Sequence, residues 1–326
     1  MVKKERAPAL FPATEPYAGY FSVGDGHDLY YEECGNPDGI PILYLHGGPG
    51  IGCSKDAHRL FHPEKYRIIL FDQRGSGRSK PQGSIHANTT LHLVQDIYRL
   101  LEKLKIDNVV LFGGSWGSTL ALVFDINYPN LIRGMILHGI FLAEQKECET
   151  YLTGQSAHSR FPEAHRRLLH HVPPHARKNP ADYYFAMMTS DNAHIRYLYA
   201  YEWAYYEFSR ACLVPLPDEQ LKKKILSGSV VSSGAIELHY LRNFYFLEDG
   251  YILRNAYHLP SVPLSIIHGR YDDLCPIENA SRLHDALPAS TLHVVNAGHA
   301  HTDAEILKKS IEETQRMAAQ CIKPVP

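Results

Sequence analysis

The 326-residue chain lacks any apolar run near the roughly 18 residues that a membrane-spanning helix requires, which argues against a helical membrane protein. Its charged opening, Met1-Val2-Lys3-Lys4-Glu5-Arg6, is followed by no apolar segment of the secretory type, so no secretory signal is expected. Neither sign of charge is in excess: 33 Lys+Arg against 35 Asp+Glu give a formal net charge of −2, so no nucleic acid and no anionic membrane is expected as a partner. The short basic runs Lys222-Lys223-Lys224 and Arg166-Arg167 read as solvated helix faces. Cysteine is sparse. Its six copies, Cys34, Cys53, Cys148, Cys212, Cys275 and Cys321, have no C-x-x-C spacing and read as free thiols in a reducing cytoplasm. The metal motif H-E-x-x-H is missing, and the histidine-rich stretch from His165 to His175 is broken by Pro173 and Pro174, so it reads as solvated surface and no metal is expected. A phosphate-binding G-x-x-x-x-G-K-[ST] loop and a convincing dinucleotide fingerprint are also missing, and no cofactor is expected. There is no internal repeat and no low-complexity segment.

What the chain does have is an ordinary globular composition, 44% hydrophobic and 21% charged, with length for a large core. Residues 19–33 read as a β-hairpin turning at Gly24-Asp25-Gly26. Short runs apolar on both faces follow at Pro41–Leu45, Arg67–Phe71, Asn108–Phe112 and Gly134–Leu137, and return at Leu264–His268 and Thr291–Val295. Such runs suit strands buried in a parallel sheet. Between the second and third, Leu93, Val94, Ile97, Leu100, Leu101 and Leu104 recur at helical spacing and predict an amphipathic crossover helix, with Thr89-Thr90 offering its cap. A second crossover helix is expected over Ile277–Leu287. The pattern predicts an α/β protein with a doubly wound, mostly parallel sheet. Residues 141–250 are different, rich in Tyr, His and Arg and punctuated by proline. They are expected to form a mostly helical cap inserted between the two parts of a catalytic domain, 1–140 and 251–326.

The chemistry centres on Gly113-Gly114-Ser115-Trp116-Gly117, which lies between a strand-like run and the start of a buried helix. Strand, glycine-flanked serine and helix is the context of a nucleophile elbow, in which a strained turn lifts the hydroxyl above the sheet. A serine nucleophile needs a base, an orienting acid and an oxyanion site, and in this architecture the acid and then the base follow the serine in the chain. The acid is expected just past a late strand, at Asp272 or, second, Asp273. The base is expected after the last strand, where His299 follows Gly298; His301 is second, and His293 lies within the strand. The oxyanion donors are the N–H of Trp116 and that of Gly47 or Gly48, in the His46-Gly47-Gly48-Pro49-Gly50 turn after an early strand. Esterases and lipases use the same triad, so this chemistry leaves the substrate open.

The motif His46-Gly47-Gly48-Pro49-Gly50, the run from Asp72-Gln73-Arg74-Gly75 to Ser79, and Gly113 to Leu120 together resemble the serine-type proline iminopeptidases (prolyl aminopeptidases) of the α/β-hydrolase fold. Gly139-Ile140-Phe141-Leu142, His268 to Asp272 and Gly298-His299 add to the resemblance, which runs from about residue 17 to the C-terminus. It implies a serine exopeptidase that releases an N-terminal proline from small peptides, with Ser115, Asp272 and His299 as its triad. It also implies that Glu207, in Trp203-Ala204-Tyr205-Tyr206-Glu207, and Glu237, in Ile236-Glu237-Leu238-His239-Tyr240, hold the substrate's free amine. Phe141 and Tyr151 are candidates for an apolar pocket around the pyrrolidine ring. The chain departs from the family pattern at His138, where an arginine is usual, at Ile51, where a glycine is common, and at Tyr206, in place of a second tryptophan. The alternatives are a broader small-residue aminopeptidase, an esterase or amidase on the same frame, and a non-catalytic binding protein.

Overall fold

A computed structural model describes residues 10–321 apart from 159, 229, 260 and 261. One eight-stranded sheet forms the centre, in the order β1-β2-β4-β3-β5-β6-β7-β8. Its strands are β1 (Tyr17–Gly24), β2 (His27–Gly35), β3 (Ile40–Leu45), β4 (Tyr66–Phe71), β5 (Val109–Gly114), β6 (Ile132–His138), β7 (Leu264–Gly269) and β8 (Thr291–Val295). The hairpin β1–β2 pairs antiparallel with itself and with β4, and every later pairing is parallel. All six residues of β5 and all six of β7 are buried, as expected of strands covered on both faces. The chain reverses its direction of winding between β3 and β5, and the loops at the carboxyl ends of these strands meet there, where open α/β sheets place their ligands.

Helix α1 (Thr90–Leu104) buries Leu93, Val94, Ile97, Leu100 and Leu101 against the sheet, the face read from its periodicity. Its expected cap is only half right. Thr89 is the N-cap residue, but its side chain caps no backbone N–H and instead hydrogen-bonds His92 Nδ1 at 2.7 Å. Helix α2 (Trp116–Asn127) is apolar on nearly every face and buried from Trp116 to Asp125. Asp125 is a misfit there: it is fully buried, and neither carboxyl oxygen finds a hydrogen-bond partner among the described residues. Burial alone pushes its carboxyl up to about 7.

Between β6 and β7 run α3 (Gln145–Leu152), α4 (Gln155–His158), α5 (Pro162–His170), α6 (Pro180–Met188), α7 (Ala193–Ala211), α8 (Asp218–Leu226), α9 (Val230–Arg242) and α10 (Tyr251–Arg254). Helix α11 (Ile277–Ala286) links β7 to β8, and α12 (Ala304–Cys321) follows β8. The inserted segment is therefore helical. Helix α7 is its spine, packing on α5, α6, α8 and α9. One basic run is more than solvated surface: Arg167 forks onto buried Glu202 at 2.6 and 2.9 Å and lies 3.5 Å over the Tyr205 ring. None of the described cysteines is in a disulfide, and no described helix is long and apolar enough to cross a membrane.

Candidate active site

Ser115 stands between β5 and α2 with φ 56° and ψ −126°, a conformation that a residue bearing a Cβ adopts only under strain. Its N–H is held by the His138 carbonyl at 3.0 Å. The flanking glycines serve by closeness, without left-handed torsions of their own. A Cβ on Gly113 would lie 2.3 Å from the Gly117 carbonyl oxygen, and one on Gly117 would lie 2.1 Å from that of Leu45. Gly114 is just as constrained, because a Cβ there would fall 2.0 Å from the His138 ring.

The other expected partners converge. His299 Nδ1 lies 2.8 Å from Asp272 Oδ2. The second Asp272 oxygen accepts the N–H groups of Leu274 and Cys275 at 2.9 and 2.8 Å. His268 Nε2 donates to the Cys275 carbonyl at 3.0 Å and stands 3.5 Å from Asp272, while its Nδ1 accepts the Ile140 N–H at 3.0 Å. Burial opposes the Asp272 charge, but His299, His268 and the Cys275 N–H outweigh it and hold the carboxyl below its usual range. Burial likewise works against a charged His299, and the Asp272 carboxylate overrides it, raising the imidazole above its ordinary 6.5. A general base with its second nitrogen on a buried carboxylate is thereby fixed in tautomer and direction. Asp273, the second choice for the acid, is instead ion-paired with buried Arg210 at 2.9 Å and with Arg160 at 3.6 Å. His301 has no contact with Asp272, and burial, Lys224 and His299 lower it to about 4.

The glycine turn lies against the elbow. A Cβ on Gly47 would come within 3.5 Å of Ser115 Cβ, and Gly48 needs glycine for its φ of 107°. Trp116 opens α2, so its N–H has no acceptor one turn back and is free to point at a ligand. A hydrogen-bond chain that the sequence did not reveal joins the two donor elements. The Trp116 indole N–H donates to Gln73 Oε1 at 2.9 Å, and Gln73 Nε2 donates to the His46 carbonyl at 2.9 Å. The Gln73 N–H is accepted by His46 Nε2 at 3.0 Å, and His46 Nδ1 donates to the Gly47 carbonyl at 2.9 Å. The same loop is braced by Asp72, which accepts from the Cys53 N–H at 2.7 Å and from the N–H and Nε of Arg78 at 2.8 and 2.7 Å.

Ser115, His299, Gly47 and Gly48 open into one cavity of about 820 Å³, and Phe141, Tyr151, Glu207 and Glu237 line it too. Glu207 comes from α7 and Glu237 from α9. The Tyr151 hydroxyl donates to Glu207, and the Trp203 indole N–H donates to Glu237 at 3.2 Å. Burial, then the neighbouring Glu207 carboxylate, push the Glu237 carboxyl far above its usual range. Asp272 and Trp116 stand behind the cavity wall. Tyr245 was not foreseen. It lines the cavity beside Phe141, ring centroids 4.8 Å apart, from a turn in which Phe244, Tyr245 and Phe246 all have positive φ. The departures from the family pattern fall in and near the site. Buried His138 faces the cavity with its Nδ1 unpaired, Ile51 is exposed on the rim, and the buried Tyr206 ring lies under Arg210 at 4.0 Å. Among the described residues there is no cluster of His, Cys, Asp and Glu that could hold a metal ion.

A family model of the α/β-hydrolase fold matches residues 40–154. Among solved structures, an α/β-hydrolase from a deep-sea metagenome library superposes with a TM-score of 0.67 at 19% identity, covering 94% of this chain and 99% of its own. A proline iminopeptidase-related protein of Thermus thermophilus superposes with a TM-score of 0.59 at 23% identity, over 95% and 99%. Both support the fold. Sequence relatives are nearer. A probable proline iminopeptidase of Leptolyngbya boryana is 41% identical over 315 residues, 95% of this chain and 97% of its own. The proline iminopeptidase of Arabidopsis thaliana is 38% identical over 314 residues, 95% of this chain and 82% of its own. With identity at this level over nearly its whole length, the chain belongs to the proline iminopeptidase family of α/β-hydrolases.

Proposed function

We propose that the protein is a serine exopeptidase that releases an N-terminal proline from small peptides. The observation that carries this reading is the pair Glu207 and Glu237 converging in the cavity that holds Ser115 and His299. An esterase for uncharged substrates has no use for a buried carboxylate, Glu237, beside the half-buried Glu207, an arrangement that is costly unless a cation offsets it. A peptide's N-terminal ammonium supplies that cation and donates hydrogen bonds to both groups. Fixed at a set distance from Ser115, the pair admits only the first residue of the chain. Phe141 and Tyr151 offer flat apolar walls to the pyrrolidine ring, and Tyr245 adds a third.

In this reading Ser115 attacks the prolyl carbonyl while His299 takes its proton and Asp272 stabilises the imidazolium. The N–H groups of Trp116 and of Gly47 or Gly48 hold the oxyanion. His299 then protonates the departing amine, and water releases proline from the acyl-enzyme. Residues 141–250 act as a cap that supplies the amine site to the catalytic frame of 1–140 and 251–326. A cytoplasmic protein is the reading proposed, which the free thiols support.

Hydrolysis of proline arylamide beside its N-acetyl derivative tests the reading. Acetylation is expected to lower kcat/KM more than about 100-fold, and Glu237→Gln to raise KM for the free amine about 10-fold or more. Equal cleavage of both substrates would transfer the protein to the esterases and amidases. A second expectation concerns pH. His299 must be neutral to act and its proton is held more tightly than usual in the free enzyme, so kcat/KM falls as pH drops through a value above 6.5. An acid limb at or below 6.5 would remove His299 as the base.

A further inference from the structure

The cavity lining holds three carboxylates, Asp72, Glu207 and Glu237, and three fixed cations, Lys55, Arg78 and Lys224. Asp72 and Arg78 cancel, being ion-paired to each other at 2.7 Å. What is left is an acidic pair and a basic pair. The acidic pair sits among Tyr151, Trp203 and Tyr245, with Glu237 itself buried. The basic pair sits at the mouth, which is marked by the exposed lining residues Ile51, Ser54, Lys55 and Ser227. Lys224 reaches it from the last turn of α8, its ammonium 4.9 Å over the Phe208 ring and close enough to His301 to depress that imidazole. Neither lysine has a carboxylate partner among the described residues, whereas Lys222, two residues earlier, is paired with Glu219 at 3.1 Å. Two unpaired ammonium groups on the rim of a cavity favour an anion there.

The proposed reaction says which anion. A peptide enters with its amine toward Glu207 and Glu237 and its scissile carbonyl at Ser115, so everything after the first residue extends toward the mouth. In a short peptide that extension ends in an α-carboxylate. We propose that Lys55 and Lys224 receive this carboxylate, which makes the enzyme prefer short peptides that end in a free carboxylate over their C-terminal amides. The inference rests on the exopeptidase reading above.

The experiment compares kcat/KM for Pro-Gly, Pro-Gly-Gly and Pro-Gly-Gly-Gly with that for their C-terminal amides, using wild type, Lys55→Gln, Lys224→Gln and the double variant. Proline arylamide is run beside them. The readout is the acid-to-amide ratio within each protein, which cancels any change in folding or in the catalytic step. Wild type is expected to prefer the acid about 5-fold at the best-fitting length, mainly through KM, and less so in high salt. The double variant is expected to bring the ratio to about 1. A wild-type ratio near 1 at every length overturns the proposal, as does a preference that survives in the double variant. Failure of wild type to cleave proline arylamide would instead overturn the exopeptidase reading, so the two failures are distinguishable.

Discussion

Replacing Ser115 by alanine or by glycine is expected to abolish turnover, with kcat falling by about 10⁴-fold or more, while the two variants differ in stability. Both lose the hydroxyl. Only glycine also loses the Cβ that is strained at φ 56° and ψ −126°. Strain of this kind costs roughly 1–3 kcal/mol, and the greater freedom of glycine in the unfolded chain returns up to about 1 kcal/mol of that. Ser115→Gly is therefore expected to unfold roughly 2 °C above Ser115→Ala. Thermal unfolding followed by circular dichroism, with arylamide hydrolysis as the activity, reads both quantities. Appreciable turnover by either variant would remove Ser115 as nucleophile. A glycine variant less stable than the alanine variant would show that the elbow stores no strain.

The second large effect lies one helix away and concerns folding. Asp125 keeps its proton to about pH 7 in the folded protein and releases it near 3.8 when unfolded. Between these values the folded state binds the extra proton, so the linked stability is whole below about pH 4, shrinks as pH rises, and is fully lost above pH 7. A shift of about 3 units corresponds to about 4 kcal/mol. Asp125→Ala removes the group and keeps a good helix former, so it is expected to be more stable than wild type at pH 8 by up to about 4 kcal/mol, less the cost of the small cavity. The advantage should fade toward pH 4. Urea unfolding at pH 8 and pH 5 measures it. An advantage that is the same at both values, or is absent at pH 8, would mean that the carboxyl has found a partner or water.

The sheet was legible because buried parallel strands are written as unbroken apolar runs, and β3, β4, β7 and β8 fall within a residue or two of those runs. The candidate triad could be nominated from the sequence because its members follow fixed strand ends. His299 was separable from His301 only by its place after Gly298, and its bond to Asp272 agrees with that reasoning. The role of Asp273 was not legible. Its partner Arg210 lies 63 residues earlier, and no local pattern announces an ion pair across that separation. The same holds for the link from Trp116 through Gln73 to His46, residues that meet only when β3, β4 and β5 align. Glu207 and Glu237 stand on different helices, and only the family resemblance picked them out from other helical glutamates. The cap at Thr89 was misread because a neighbouring side chain, His92, competed for the threonine hydroxyl.

The end of α7 bears on how substrate gets in. The Ala211 carbonyl accepts the N–H groups of both His299 and Ala300, at 2.7 and 2.8 Å. Asp303 joins Gly298 to Leu213 at 2.7 and 2.9 Å, and Arg210 reaches Asp273, next to the proposed acid Asp272. The helix that presents Glu207 is thus bolted to the loops that carry the proposed acid and base. Were α7 to swing outward to admit a peptide, it would pull the base from its post, and the open enzyme would be idle. Traffic is accordingly assigned to the rim between the Ile51 loop and the end of α8, where substrate and released proline pass while the catalytic groups stay in register.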